Sequence, residues 1–121
     1  ACARESVDSL ELVRADAAEL PFADGSLQAV HAGAALHVWP DVPRALAEIR
    51  RVLAPGGVFV ASTFEERPRS TGWSKRALGL SGAKVFGAGE LEGLCRAAGF
   101  VGYAARRERS MVWLRCEKAR D

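Results

Sequence analysis

The chain has 121 residues, 49% hydrophobic and 26% charged, which excludes a disordered segment and fits one globular domain. No apolar run approaches the ~20 residues of a membrane-spanning helix, and the three scattered cysteines form neither a CxxC pair nor an even disulfide framework. The net charge of +2 divides into −3 over residues 1–64 and +5 over residues 65–121, but Glu65, Glu66, Glu108 and Glu117 interleave with the basic residues, so that half reads as a solvated face and no nucleic-acid partner is expected.

Residues 1–9 read as a helix end or linker. Leu10–Arg14 alternates apolar and charged residues, the period of a strand. A polar connection punctuated by Pro21 and Gly25 follows, and then Leu27–Gly33, a short apolar run that reads as a buried strand. Asp41 is placed to cap a helix from Val42 to about Leu53. Ala45, Leu46, Ile49, Val52 and Leu53 share one face of it, and Arg44, Glu48, Arg50 and Arg51 take the other. Pro55-Gly56-Gly57 reads as the stop, and Val58–Phe64 as a strand covered on both faces. Residues 65–87 lose periodicity and read as a loop or lid. Gly89–Ala98 is a second amphipathic helix with Leu91, Leu94, Cys95 and Ala98 inward and Gly99 as its stop. Phe100–Ala105 and Met111–Cys116 read as an antiparallel hairpin. Strand, helix, glycine turn and strand in succession predict an α/β fold on an open, largely parallel sheet.

Open α/β sheets bind ligands at the carboxyl ends of their strands. Asp16 could accept a hydrogen bond from an exocyclic amine while the N–H of Ala17 faces a ring nitrogen, a pair that matches an adenine edge. An aspartate there also serves simply to form a turn, which the spacing alone favours. After the second strand, the small residues Ala32 and Gly33 allow close approach of a ligand. His37 is a candidate general base, with a packed loop residue as the even alternative, and His31 reads as a core residue. Two histidines six apart without a carboxylate or thiol make no metal site. Pro55-Gly56-Gly57 is too short for a phosphate loop and lacks its Lys-Ser/Thr. Cys95 and Cys116 read as small core residues.

Three ordered segments, Asp16-Ala-Ala-Glu-Leu-Pro-Phe-Ala-Asp-Gly-Ser26, Glu48-Ile-Arg-Arg-Val-Leu-Ala-Pro-Gly-Gly57 and Glu90-Leu-Glu-Gly-Leu-Cys-Arg-Ala-Ala-Gly-Phe100, together resemble the methyltransferase type 11 family. That family is a branch of the class I S-adenosylmethionine-dependent methyltransferases. The stretch Ala29–Pro40 is similar to a plant and green-algal group of plastid members, with Gln28 standing where relatives commonly carry Asp. The resemblance implies an α/β fold, the C-terminal portion of a Rossmann-like sheet of strand order 3-2-1-4-5-7-6, holding strand 3 and strands 4 to 7. It implies S-adenosyl-L-methionine as cofactor, Asp16 and Ala17 at the adenine, and Ala32 and Gly33 lining the methyl-transfer site. A small-molecule methyl acceptor and a plastid location are also expected, and the 65–87 segment, with Trp73 and Phe86, would cover or select that acceptor.

The family's glycine-rich motif (acidic residue, x, Gly, x, Gly, x, Gly) is not present in residues 1–9, and the first residue is Ala. Residues 1–121 are therefore expected to be a partial methyltransferase domain, its strand 3 left as an unpaired edge, with little activity alone. The competing reading is a non-catalytic α/β interaction module whose basic C-terminal half meets an acidic partner.

Overall fold

A computed structural model describes residues 10–64, 86–87, 89–109 and 111–120. Its strands are β1 (Leu27–Gly33), β2 (Leu53–Phe64), β3 (Phe100–Glu108) and β4 (Met111–Lys118), and its helices are α1 (Val42–Val52) and α2 (Glu90–Ala97). The four-stranded sheet runs β1-β2-β4-β3. β1 and β2 are parallel, and β4 is antiparallel to both β2 and β3. This is the 4-5-7-6 end of the expected sheet, parallel strands closed by an antiparallel hairpin.

Parallel strands need a long crossover, and here a 3-10 turn at Leu36–Val38 and α1 supply it. Asp41 caps α1 as expected, its Oδ1 accepting the Arg44 N–H at 3.1 Å. Pro43 sits in the first turn, where its missing N–H is not needed. The predicted inner face is buried at Ala45, Leu46, Ile49 and Val52, and Val42 joins it.

The stop of α1 differs from expectation. The helix ends at Val52, and Leu53 (φ −74°, ψ 138°) already belongs to β2. Pro55-Gly56-Gly57 lies inside the first part of β2, where Leu27 pairs with Leu53 but Ala29 pairs with Val58. The extra backbone folds against β1. A Cβ on Gly57 would stand 2.8 Å from the Ala54 carbonyl oxygen and 3.1 Å from that of Gln28, so only glycine fits.

Strand alternation then divides the sheet into two faces. Phe59, Ala61 and Thr63 of β2 and Val112, Leu114 and Cys116 of β4 are buried, and these residues pair across the two strands. They pack with Leu36, Leu46, Ile49, Phe86, Leu91 and Phe100 in one core, where the Phe59 and Phe100 rings stack at 5.6 Å. On the opposite face Val58 and Val60 are half-buried and Trp113 is 43% exposed. The expected two-sided cover of β2 is thus corrected. Among the described residues both helices pack on one face, and a short apolar run reads alike whether one face or two are covered.

Two other strand expectations change. β1 is the outer strand of the described sheet, and Gln28, Ala29, His31 and Gly33 are exposed rather than buried. Leu10–Arg14 makes no ladder, and Leu12 is 85% exposed. A strand exists through its partner, and none of the four described strands lies beside this one, as expected for strand 3 without its neighbour.

The second helix and the hairpin form where the pattern places them, with hairpin strands two to three residues longer than predicted. Cys95 and Cys116 are buried in the core, as expected of small apolar residues. Residues 1–9, with Cys2, and residues 65–85 of the expected lid, with Trp73, lie outside the described residues. Phe86 is sealed in the core and its N–H meets the Phe64 carbonyl oxygen at 3.4 Å. No helix among the described residues is long and apolar enough to cross a membrane.

Candidate functional site

The polar connection before β1 lies along α1. It starts in a turn made by Asp16, whose Oδ1 accepts the Ala18 N–H at 2.9 Å and whose carbonyl oxygen accepts the Glu19 N–H at 2.9 Å. The turn-forming reading of Asp16 therefore holds, and the turn itself orients the carboxylate beside Ala17.

Beyond the turn, α1 grips the connection through two side chains. Glu48 Oε2 accepts the Leu20 N–H at 2.8 Å. Arg51 donates to the carbonyl oxygens of Leu20 (2.9 Å) and Phe22 (2.9 Å) and to Asp24 Oδ1 (2.7 Å). Its Nε and Nη2 also donate to the two Glu48 oxygens at 2.7 and 2.9 Å, and its own carbonyl oxygen accepts the Gly25 N–H at 2.9 Å. A planar five-donor guanidinium suits this many acceptors in fixed directions. The Arg51 hydrogen bond, followed by that from the Leu20 N–H, holds the Glu48 carboxyl down to about 2. Glu48 and then Asp24 raise the Arg51 guanidinium in return.

Periodicity places Glu48 and Arg51 on the side of the helix opposite its apolar face, and in the structure that stripe carries the connection. A signal was present: the Asp16–Ser26 and Glu48–Gly57 segments are two of the three that carry the family resemblance, and they prove to be the two halves of one hydrogen-bond network.

Between the start of the connection and the β1–α1 link lies a cavity of about 450 Å³, lined by Ala15–Ala18 on one side and by Trp39–Asp41, Arg44 and Ala45 on the other. Asp16 and Ala17 thus come together on one wall. Ala32 and Gly33 do not line this cavity. Gly33 ends β1, and a Cβ there would lie 3.3 Å from the His31 ring; Ala32 packs against the core. The next residue, Ala34, has φ +50°. Its N–H donates to the Ser62 carbonyl oxygen at 2.8 Å and to Ser62 Oγ at 3.0 Å. Ser62, which the sequence did not single out, thereby shapes the backbone at the carboxyl end of β1.

The core reading of His31 is corrected, and His37 is packed. His31 is exposed, because Val30 and Ala32 face the core and strand alternation turns the residue between them outward. The 3-10 turn folds Leu36 and His37 inward instead. His37 is 6% exposed, shares a hydrogen bond between Nδ1 and Thr63 Oγ1 at 3.3 Å, and meets the Phe64 ring edge-on at 4.7 Å. It stands at the carboxyl end of β2. Among the described residues no three His, Cys, Asp or Glu side chains are grouped as a metal site would need.

Comparison with known proteins adds three findings. The family described as methyltransferase domain matches residues 1–61. The chain is 45% identical over 118 residues to an uncharacterised chloroplastic methyltransferase of Arabidopsis thaliana, across 92% of this chain and 33% of that protein. Its fold is similar to that of an S-adenosylmethionine-dependent methyltransferase of Thermotoga maritima, a possible histamine N-methyltransferase, with TM-score 0.73, 23% identity and coverage of 84% of this chain and 61% of that one. It is also similar to the [4+2]-cyclase SpnF, with TM-score 0.77, 20% identity and coverage of 98% and 60%. At these identities the solved structures speak for the fold alone, and a cyclase among them illustrates that fold does not assign the reaction. The chain spans about a third of the length of the Arabidopsis relative.

Proposed function

The chain belongs to the methyltransferase domain family, and from that premise we propose that it supplies the adenine-side wall, and part of the acceptor-side wall, of an S-adenosylmethionine-dependent methyltransferase. The observation that carries this reading is the meeting of Asp16 and Ala17 with Trp39–Ala45 around one cavity.

The residues fit the purine end of that cofactor. Asp16 is an exposed acid oriented by its own turn, able to accept from the exocyclic amine of adenine, with the Ala17 N–H turned to a ring nitrogen. The adjacent alanines leave room for a flat ring, and Trp39 adds aromatic surface to the opposite wall. When bound, the cofactor supplies an electrophilic methyl group on a sulfonium. The protein's own part is to bind, orient and exclude water, which supplies much of the acceleration in such displacements. Ala32 and Gly33, at the end of β1, line the side from which the methyl group leaves. His37, its ring held by Thr63, is the candidate base for an acceptor that must lose a proton. The acceptor is a small molecule presenting oxygen, nitrogen or carbon, and the plastid is the proposed compartment because the Arabidopsis relative is chloroplastic.

Adenosine, titrated into the 121-residue chain and followed by amide NMR shifts, tests the purine site. The expected result is a shift confined to residues 15–18 and 39–45, with guanosine giving none. Asp16→Asn preserves the turn but replaces one acceptor by a donor, and is expected to weaken adenosine by about tenfold, the loss of one hydrogen bond to a charged group. Unchanged affinity in that variant, or shifts elsewhere, would refute the reading.

A further inference from the structure

We infer that Glu48 and Arg51 are positioning residues for the adenine wall: they touch no ligand but hold the connection that carries Asp16 and Ala17 in place against α1. The inference rests on the reading of the cavity as a purine site.

Arg44, Glu48 and Arg51 stand at i, i+4 and i+7 on α1 and form one stripe along the helix. Arg44 lines the cavity, Glu48 takes the Leu20 N–H, and Arg51 takes the carbonyl oxygens of Leu20 and Phe22. The stripe therefore begins at the cavity and follows the connection away from it, with a hydrogen bond at each step past the turn.

Apolar packing does little of this work. Glu19, Pro21, Phe22, Ala23 and Asp24 are exposed, and Leu20 is the residue of this stretch that packs against the core. The ion pair from Arg51 to Asp24 adds little fixity, because the Asp24 side chain is 82% exposed and such pairs are weak in water. The directional bonds to backbone groups are what define the path. Both Glu48 oxygens are engaged by Arg51, so the carboxylate orients the guanidinium while also accepting from Leu20. Lysine could not replace this arrangement, since a single ammonium cannot meet two carbonyls and two carboxylate oxygens in one plane.

Arg51→Ala removes the fork and leaves room for ethylguanidinium. In the full 121-residue chain, this variant is expected to speed hydrogen exchange at the Leu20 amide and to weaken adenosine by about tenfold, the worth of a charge-assisted hydrogen bond. Added ethylguanidinium is expected to restore both, while sodium chloride at equal ionic strength restores neither. Arg51→Lys is expected to show the same loss of affinity, and it carries the test if the alanine variant does not fold. Val112→Ala, a core change remote from the connection, is expected to lower Tm and leave adenosine affinity unchanged. Wild-type affinity in both Arg51 variants would overturn the inference while leaving the purine site standing. An equal affinity loss in Val112→Ala would overturn it too, by showing that global stability is what the ligand reads. If adenosine shifts no residue of the cavity in the wild-type chain, the purine site falls and the inference with it.

Discussion

Gly99 shows how a single position can be read in advance. It ends α2 with φ +97°, its N–H meets the Arg96 carbonyl oxygen at 2.9 Å, and a Cβ there would stand 2.7 Å from Arg50 Nε. The backbone conformation alone disfavours any other residue, and Arg50 would also have to move. Gly99→Ala is expected to destabilise the chain by about 1–3 kcal/mol, read as a lower urea midpoint with an unchanged m-value. A glycine stop after an amphipathic run is a local signal and was legible as such. Ala34 and Arg109 adopt positive φ as well, +50° and +59°, and nothing in their identity announces it. For Ala34 the reason is remote: the two bonds its N–H donates to Ser62 hold it there. His31 makes the same point, because its exposure depends on which side of β1 faces the helices, whereas His37 is buried by the 3-10 turn that follows.

Among the elements, α1 was half legible. Its cap and its apolar face follow from a period of 3.6 and one aspartate, whereas the function of its polar face depends on what lies against it. Glu48 and Arg51 read in the sequence only as part of the polar side, and in the structure they hydrogen-bond the connection. The Glu48 carboxyl is lowered from its ordinary value of 4.5 to about 2. A group whose folded value lies below its unfolded one contributes stability that is full above about pH 4.5 and is lost as the pH falls toward 2. Urea midpoints measured across that window should therefore fall with acid, and Glu48→Gln should flatten the fall; equal slopes in both proteins would show that the anchor adds nothing. Leu10–Arg14 is the opposite case. Its alternation reads clearly as a strand, yet no ladder forms, because the period of a strand describes two faces and not a partner.

At the scale of the whole molecule, the sheet order β1-β2-β4-β3 leaves one face with Val58 and Val60 half-buried and Trp113 exposed among the described residues. The 121-residue sequence contains no acidic-x-Gly-x-Gly-x-Gly run, so its grip on S-adenosylmethionine is proposed to be confined to the purine end. The chain alone is expected to bind the cofactor weakly by calorimetry and to transfer no methyl group. Fusion to the glycine-rich portion of a relative is expected to restore transfer, and His37→Phe to abolish it for an acceptor that must lose a proton. Tight binding or transfer by the unfused chain would contradict this. The order of the four described strands and two helices, the Asp41 cap, the Gly99 stop and the membership of the family were already present in the residues, because each rests on local period or on short contiguous motifs. The side chains that hold the connection against α1 were not, because Arg51 finds its partners at Leu20, Phe22 and Asp24, 27 to 31 residues away. Only the folded chain decides such contacts, since a polar side chain on a helix carries no mark of what will be laid across it.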